Sequence, residues 1–254
     1  MLTVASRTHA GTVRATNEDA SLWEPSLAVV AVADGMGGHN AGEVASQLAL
    51  DAVRSFLEQS AGDRDATWPF GFDATRSIAA NRLTTAIKIA NGRVHRASEE
   101  HAEYTGMGTT VVAALFDGST VAYASVGDSR VYSFDGCALK RITKDNSWVE
   151  MLMKESGLAA PAFDRHPMRH VLTSVVGARP DLEVVVEERE LADGQTIMLC
   201  TDGLHGAMRD GDVEAVLKSE RDLDRAAAQL VEMAVRHDGK DNVTVSLARY
   251  SRTP

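Results

Sequence analysis

The sequence predicts an α+β fold in which a central antiparallel sheet is covered by helices. Two β-branched runs, Thr109–Phe116 and Thr120–Val126, are separated by an Asp-Gly pair that is typical of a hairpin turn. A third run, Arg130–Phe134, follows after a short turn, so that successive strands run in opposite directions. No glycine-rich nucleotide fingerprint opens a helix in this sequence, which argues against a doubly wound parallel sheet.

Composition and charge restrict the class of protein. The chain has 254 residues, of which 44% are apolar and 24% are charged, as is usual for a soluble globular protein. The net charge of −10 argues against nucleic acid or an anionic membrane as the main partner. Because no linker, repeat or low-complexity segment divides the chain, we expect one domain over residues 1–254.

The cysteines and the N-terminus bear on the location of the protein. Cys137 and Cys200 do not form the spacing pattern of a disulfide framework. The N-terminus lacks a basic-plus-apolar signal pattern, and no apolar run approaches the roughly 18 residues of a membrane span. We therefore expect reduced cysteines, no membrane association and a cytoplasmic protein.

In the first half of the chain, strand patterns precede two long helices. A short strand-like piece opens residues 2–20, and the apolar run Leu27–Ala33 predicts a buried strand. Helical spacing of apolar residues then extends from Asn40 to about Gln59 and, after a loop at 61–72, from about Ala74 to Glu103. We interpret both apolar stripes as core that faces the sheet.

The second half of the chain is less regular at first and then returns to strands. A short helix is predicted over Ser147–Ser156. His166 and His170 follow at a helical spacing, but Pro167 disfavours a continuous helix there, which favours a loop over a zinc site. The remaining predicted elements are strands at Leu182–Glu188 and Thr196–Thr201, helices at Gly211–Ser219 and Leu223–Arg236, and a final strand at Val243–Ala248.

Aspartates recur beside glycines at the ends of predicted strands. Asp34, Asp128 and Asp202 each follow an apolar strand run, and Asp241 precedes the last strand. A single Asp-Gly pair is usually only a turn. Their recurrence indicates instead that several carboxylates converge on a cation.

The residue types favour an oxygen-binding metal and a phosphate substrate. Asp34, Asp202 and Asp241 would be joined by Glu18 or Asp19, although neighbouring strand residues point to opposite faces and at most one of that pair can aim directly at a shared site. Taken alone, that pair fits a solvated polar loop better than a site. Such carboxylates suit Mg²⁺ or Mn²⁺, and two such ions can activate a water for hydrolysis of a phosphate ester. Arg14 would bind the phosphate.

Five short blocks of the sequence together match a known pattern. The blocks are Val13–Asp19 (VRATNED), Val32–Gly38 (VADGMGG), Val126–Arg130 (VGDSR), Thr201–Leu204 (TDGL) and Asp241-Asn242, with Gly108–Thr110 and His170–Thr173 as further similar segments. They resemble the motifs of the PP2C (PPM) family of metal-dependent protein Ser/Thr phosphatases in its compact bacterial form. The resemblance extends over essentially the whole chain and keeps the order of the family's motifs.

The resemblance implies a fold and a role for each matching residue. The implied fold has four layers, α-β-β-α, with a central antiparallel β-sandwich and a helix pair on each outer face. Asp34 would bridge two metal ions, with the Gly35 carbonyl and Asp19 or water at one of them. Asp202 and Asp241 would bind the other ion, Glu18 would act through water, and Arg14 would hold the phosphate. Asp128 would hold a third, weaker ion together with Asp202.

Two further expectations come from the same resemblance. Residues 144–176 match the variable flap beside the site. Gly206 stands where family members often carry Asp or Asn, which leaves the outer shell of the third ion site and the general acid open. His205 is a candidate proton donor, with a structural or solvent-facing histidine as the alternative.

The expected activity is therefore hydrolysis of phosphoserine and phosphothreonine in proteins by a metal-activated water. The expected cofactors are Mn²⁺ or Mg²⁺, and the expected partners are phosphoproteins, namely a Ser/Thr kinase and its substrates, met by a monomeric enzyme. The alternatives are a pseudophosphatase that binds a partner, a phosphatase dedicated to one small regulatory protein, and a cation-binding protein without chemistry, in which Arg14 would have no evident purpose.

Overall fold

Two antiparallel sheets form the centre of the computed structural model, which describes residues 1–38, 41–62, 68–157, 166–168 and 171–252. The first sheet has the spatial order β2 (Asp19–Glu24), β3 (Val29–Met36), β5 (Val111–Asp117), β6 (Thr120–Val126) and β9 (Val186–Glu190), with β4 (Gly108–Thr109) paired to the end of β3. The second sheet has the order β1 (Leu2–His9), β11 (Val243–Tyr250), β10 (Thr196–Cys200), β7 (Arg130–Phe134) and β8 (Leu139–Arg141).

Helices cover the outer face of each sheet. In the described ranges they are α1 (Ala41–Gln59), α2 (Ile78–Glu100), α3 (Trp148–Ser156), α4 (Asp202–His205), α5 (Asp210–Ser219) and α6 (Leu223–His237). Helices α1 and α2 pack on the first sheet, and α5 and α6 pack on the second. None of the helices in the described ranges has both the length and the apolar character needed to span a bilayer.

The period-two alternation of strand side chains produces three apolar layers. In β3, Ala31 faces α1 and α2, whereas Val30 and Val32 face the second sheet. Val131 and Leu199 meet them from that sheet. Because both faces of the central strands are covered, their sequences are continuous apolar runs rather than alternating ones. The four-layer α-β-β-α order and the antiparallel sheets are confirmed.

The structure adjusts several predicted boundaries. Helix α2 begins after Ser77 rather than near Ala74. The Ser77 side chain caps the helix by accepting a hydrogen bond from the Ala80 N–H at 3.0 Å. The residues before it form a turn around Asp73. Strand β9 runs from Val186 to Glu190, opposite Ala124 to Thr120, and so begins and ends later than predicted. The short strands β2 and β8 were not predicted.

Candidate metal centre

A pocket of about 430 Å³ opens at one end of the sandwich, where the strand-end aspartates meet. It collects most of the site residues that the sequence predicts, namely Arg14, Glu18, Asp34, Gly35, Asp128, Asp202 and Asp241. Thr110, Leu172, Val175 and Asn242 are also among the residues that line it. Asp19 and His205 are not among them.

Both sheets contribute carboxylates to this end of the sandwich. Asp19 opens β2 and lies opposite Asp34 of β3 in the strand register. Asp202 follows β10, and Asp241 lies just before β11, in the other sheet. The carboxylates therefore converge only because the two sheets pack face to face.

The backbone of Asp34 is fixed by two threonines. Its N–H donates to Thr110 Oγ1 at 3.0 Å, and its carbonyl accepts from the Thr110 N–H and from Thr109 Oγ1, each at 2.8 Å. Thr110 Oγ1 also lies 2.7 Å from Ser129 Oγ, in the turn that carries Asp128. Thr110 thus connects two aspartate-bearing turns, and the sequence resemblance had marked only the block around it.

Two motif glycines are required because the chain passes close to another motif. A Cβ at Gly35 would lie 1.9 Å from the Gly42 carbonyl oxygen and 2.7 Å from the Glu18 carbonyl oxygen. A Cβ at Gly203 would lie 2.0 Å from the Asn242 carbonyl oxygen. Any side chain at either position would push apart segments that carry the site's carboxylates.

Asn242 holds the loop that presents Arg14 and Glu18. Its Nδ2 donates to the carbonyls of Ala10 and Thr16 at 2.9 and 3.0 Å, and its Oδ1 accepts from the Glu18 N–H at 2.7 Å. This amide therefore uses three of its hydrogen-bonding positions on one loop. The N-terminal motif and the C-terminal motif are joined by it.

Arg14 forms an ion pair at the opening of the pocket. Its Nη2 donates to Asp241 Oδ2 at 2.9 Å, and the two side chains are 51% and 40% exposed. Asp241 raises the pKa of Arg14, chiefly through this hydrogen bond. The guanidinium is charged and reaches solvent, as a group that binds an incoming anion must.

Asp19 lies deeper than Arg14, and only one of its two carboxylate oxygens accepts hydrogen bonds from the described residues. Its Oδ2 accepts from Thr201 Oγ1 at 2.9 Å and from Thr244 Oγ1 at 2.7 Å. Its Oδ1 is buried and accepts no hydrogen bond from the part of the chain that the structure describes. An acceptor left in this state fits a cation or a water bound to one.

The electrostatics of the pocket also fit a cation. Burial, followed by the neighbouring carboxylates Asp19 and Asp202, raises the pKa of Asp34 well above its usual range. Burial is likewise the main cause that raises the pKa values of Asp19 and Asp128 to about 7. These carboxylates repel one another, and a divalent cation between them would relieve that repulsion.

The donor set suits a hydrated ion rather than a closed cage. Within the described ranges, no three His, Cys, Asp or Glu side chains already form a metal-binding cluster. Mg²⁺ and chemically similar ions commonly keep several waters and take only one or two carboxylates directly. An open, oxygen-rich pocket of this kind fits Mg²⁺ or Mn²⁺ and does not fit structural zinc.

His205 lies beneath the pocket, in contact with the turn that carries Asp128. Its Nε2 donates to the Asp128 carbonyl at 3.0 Å. Burial, with the Arg130 guanidinium as a smaller cause, lowers the pKa of His205 to about 4. A neutral imidazole committed to a backbone carbonyl favours the structural alternative over a proton donor.

The described ends of the predicted flap pair with each other next to the pocket. The Trp148 N–H donates to the Val171 carbonyl at 2.9 Å, and the Thr173 N–H donates to the Asn146 carbonyl at 2.8 Å. Leu172 and Val175 line the pocket wall. Of the two loop histidines, His166 lies against Trp148 with the ring centroids 4.6 Å apart, and His170 lies outside the described residues.

Comparison with known proteins identifies the family. The model of the family "Protein phosphatase 2C" matches residues 8–248. The chain belongs to the protein phosphatase 2C family. The resemblance carried by the sequence motifs is thereby confirmed.

Relatives of this 2C phosphatase chain match it over nearly its full length. The serine/threonine phosphatase stp of Listeria monocytogenes is 32% identical over 254 residues, which cover 97% of this chain and 95% of that protein. The crystal structure of the Mycobacterium tuberculosis phosphatase PstP/Ppp has a TM-score of 0.84 at 33% identity and covers 99% of both chains. The catalytic domain of PstP in complex with two manganese ions has a TM-score of 0.82 at 32% identity, again over 99% of both chains. The 2C family is metal-dependent.

Proposed function

We propose that this chain hydrolyses phosphoserine and phosphothreonine side chains of proteins with a water activated by two divalent cations, Mn²⁺ or Mg²⁺. Its family makes it a protein-serine/threonine phosphatase. The observation that carries the detailed proposal is the shared pocket, which brings Arg14 together with the carboxylates of Asp34, Asp202 and Asp241. The pseudophosphatase alternative is not favoured, because none of these residues is missing.

The metal ligands are proposed from the position of each group in the pocket. Asp34 and the Gly35 carbonyl would hold one ion, and Asp34, Asp202 and Asp241 would hold the other. Glu18 and Asp19 would act through coordinated water or directly. Asp128, which lines the same pocket and raises the pKa of Asp34 by its charge, would hold a third, weaker ion with Asp202.

Bound cations supply a nucleophilic water and neutralise charge that develops on the phosphoryl oxygens. Arg14 would bind those oxygens with its planar guanidinium, of which Nη2 is paired with Asp241. The half-exposed position of both side chains lets a phosphorylated side chain enter from the surface of another protein. Leu172 and Val175 border the pocket on the flap side and give that wall apolar side chains.

The described cysteines support direct attack by water rather than a phosphocysteine. Burial raises the pKa of the Cys200 thiol to about 12, so this residue is protonated and cannot act as a nucleophile at neutral pH. Cys137 is exposed and does not line the pocket. A covalent enzyme intermediate at either thiol is therefore disfavoured.

The proposed partners follow from the chemistry of the substrate. Phosphoserine and phosphothreonine in proteins are produced by Ser/Thr kinases, so the proposed partners are such a kinase and its substrates. A cytoplasmic, monomeric enzyme is proposed on the same basis as in the sequence analysis. A single domain over residues 1–254 is supported by the one family match from 8 to 248.

The deciding experiment measures release of phosphate from a phosphothreonine peptide in EDTA, Mg²⁺ or Mn²⁺. Activity of the wild type is expected to need a divalent cation and to collapse in Asp34→Ala and Asp202→Ala. Asp117→Asn is the matched control, because Asp117 is also a strand-end aspartate before a glycine but belongs to the β5–β6 hairpin and does not line the pocket. A folded, Mn²⁺-binding wild type without activity would overturn the proposal.

A further inference from the structure

The two oxygens of the Asp19 carboxylate have different surroundings. Oδ2 accepts from two threonine hydroxyls, whereas the buried Oδ1 accepts from none of the described groups. An ionised carboxylate can accept hydrogen bonds at both oxygens. Among the described groups, donors are provided for Oδ2 alone. Since Asp19 lies opposite Asp34 in the strand register, Oδ1 is suited to a ligand of the pocket.

The hydrogen bonds to Oδ2 form a chain with a fixed direction. Each threonine hydroxyl has one proton, and Thr244 Oγ1 gives its proton to Asp19. In its 2.7 Å contact with Thr8 Oγ1, Thr244 must therefore accept. Thr8 Oγ1 in turn accepts from Asn17 Nδ2 at 2.8 Å. Every donor from Asn17 onwards points towards Asp19, and such chains strengthen their terminal bond.

Thr201 completes the arrangement and connects it to the other carboxylates. Its hydroxyl donates to Asp19 and accepts from the Thr244 N–H at 3.0 Å, and its own N–H donates to the Thr244 carbonyl at 3.1 Å. Thr201 directly precedes Asp202, and Thr244 follows Asp241 by three residues. The two threonines thus fix Asp19 relative to the segments that carry both of these aspartates.

We infer that Thr201 and Thr244 are positioning residues that occupy Asp19 Oδ2 and leave Oδ1 available to the divalent cation or its water shell. Their hydroxyls thereby set the affinity of the pocket for the cation. This inference rests on the proposed metal centre. A purely structural role would instead confine them to holding the ends of β10 and β11 together.

The same pair of strands contains a matched control. Ser6 lies opposite Ser246 just as Thr8 lies opposite Thr244, and the two serine hydroxyls are 2.8 Å apart. Ser246 is buried on β11, as Thr244 is, but its hydroxyl does not contact Asp19. Ser246→Ala therefore removes a buried hydroxyl from the same strand and leaves the Asp19 carboxylate unchanged.

The test titrates Mn²⁺ into the substrate-free protein by calorimetry, with folding checked by circular dichroism. Thr244→Val is expected to weaken Mn²⁺ binding about tenfold, as for other groups that orient a metal ligand. Thr244→Ser is expected to restore most of the affinity, and Ser246→Ala to match the wild type. In an Asp19→Asn background, Thr244→Val is expected to add no further loss, because its effect passes through that carboxylate.

Each opposite result overturns the inference. These results are wild-type Mn²⁺ affinity in Thr244→Val, an equal loss in Ser246→Ala, or an undiminished loss in the Asp19→Asn background. Should Thr244→Val fail to fold, Thr8→Val removes the exposed hydroxyl that donates to Thr244. In that variant the Mn²⁺ affinity is expected to fall roughly twofold, and wild-type affinity would contradict the inference. Failure of catalysis with intact Mn²⁺ binding would instead count against the proposed function, since the titration contains no substrate.

Discussion

Arg14 Nη2 donates to Asp241 Oδ2 at 2.9 Å, so the residue proposed to bind phosphate is paired with a residue proposed to bind a cation. In the absence of both ligands, each side chain neutralises the other at the opening of the pocket. Asp241 would give up this pair on binding a cation, and the Arg14 guanidinium would then be available to a phosphate. Binding of the two ligands is therefore expected to be coupled through this pair.

Arg14→Ala tests that coupling. We expect kcat/KM for a phosphothreonine peptide to fall about 100-fold, because a charge-assisted contact to the phosphate is lost. We expect the Mn²⁺ affinity to equal or exceed that of the wild type, because the guanidinium no longer competes for Asp241. Steady-state kinetics and a Mn²⁺ titration measure the two effects. Arg7→Ala, which removes an exposed Arg–Asp pair outside the pocket, should change neither. Weaker Mn²⁺ binding in Arg14→Ala would contradict the competition.

Asp34→Asn is expected to separate activity from stability. Activity should fall by on the order of 10³-fold, because the substitution removes a ligand and a charge from the pocket. The metal-free variant should nevertheless have a higher melting temperature than the metal-free wild type, because a buried carboxylate surrounded by like charges is removed. Phosphate release and thermal denaturation in EDTA measure both. A metal-free variant that melts below the wild type would contradict the second part.

The stabilisation by Mn²⁺ should depend on pH. The folded pKa values of Asp19 and Asp128 are about 7, against an ordinary value of 3.8, so these groups favour the folded, metal-free state when protonated. As the pH rises from about 4 to about 7, the unfolded chain loses these protons first, and that stability is lost. Mn²⁺ needs the deprotonated forms, so its upward shift of the melting temperature should be larger at pH 8 than at pH 5. Equal Mn²⁺-induced shifts of the melting temperature at pH 5 and pH 8 would contradict this prediction.

Gly35→Ala should disrupt the site through its backbone. The new Cβ would lie 1.9 Å from the Gly42 carbonyl oxygen, so β3 and the start of α1 must separate. Overpacking of this kind lowers the free energy of unfolding by about 3 kcal/mol. For a chain of this length the melting temperature should therefore fall by roughly 10 °C, and activity should be lost as well. Gly38→Ala is the control, since its Cβ would meet no atom within 4 Å. Thermal denaturation of both variants measures the difference. Equal melting temperatures of Gly35→Ala and Gly38→Ala would contradict the close approach of β3 to the start of α1.

His205→Gln is expected to keep the pH profile of kcat. The histidine is neutral, and its Nε2–H is committed to the Asp128 carbonyl, which a glutamine amide can also reach. We expect the variant to be modestly less stable, and its plot of kcat against pH to keep both limbs of the wild type. Disappearance of the limb that reports the general acid would restore His205 as the proton donor.

Two of the proposed metal-binding aspartates could be singled out from the sequence because a charged residue and a glycine directly follow an apolar run. Asp34 and Asp202 carry this signal, and glycine is needed there because another motif passes within 3 Å of where a Cβ would lie. The antiparallel order was visible in the hairpin around Asp117-Gly118. Periodicity and turn chemistry are local, so they survive in a single sequence.

The parts that could not be predicted depend on contacts between distant segments. Thr110, Thr201 and Thr244 have no local signal that marks them for the site. Thr110 reaches Asp34 within the first sheet, and the packing of the two sheets brings the hydroxyls of Thr201 and Thr244 to Asp19. Strand β2 escaped prediction because it follows a polar loop and opens with Asp19. The pairing of Asn242 with the loop before Glu18 spans more than 200 residues and leaves no local pattern.

The convergence of carboxylates from two sheets has a consequence for how the chain could be divided. Asp19 and Asp34 belong to one sheet, and Asp202 and Asp241 border the other. Neither sheet alone has all the proposed ligands of a binuclear centre, so no half-length fragment would inherit a weakened form of the activity. The proposed metal centre would form only when the sheets associate, and recovery of Mn²⁺ binding during refolding would therefore report the moment at which the two halves of the sandwich meet.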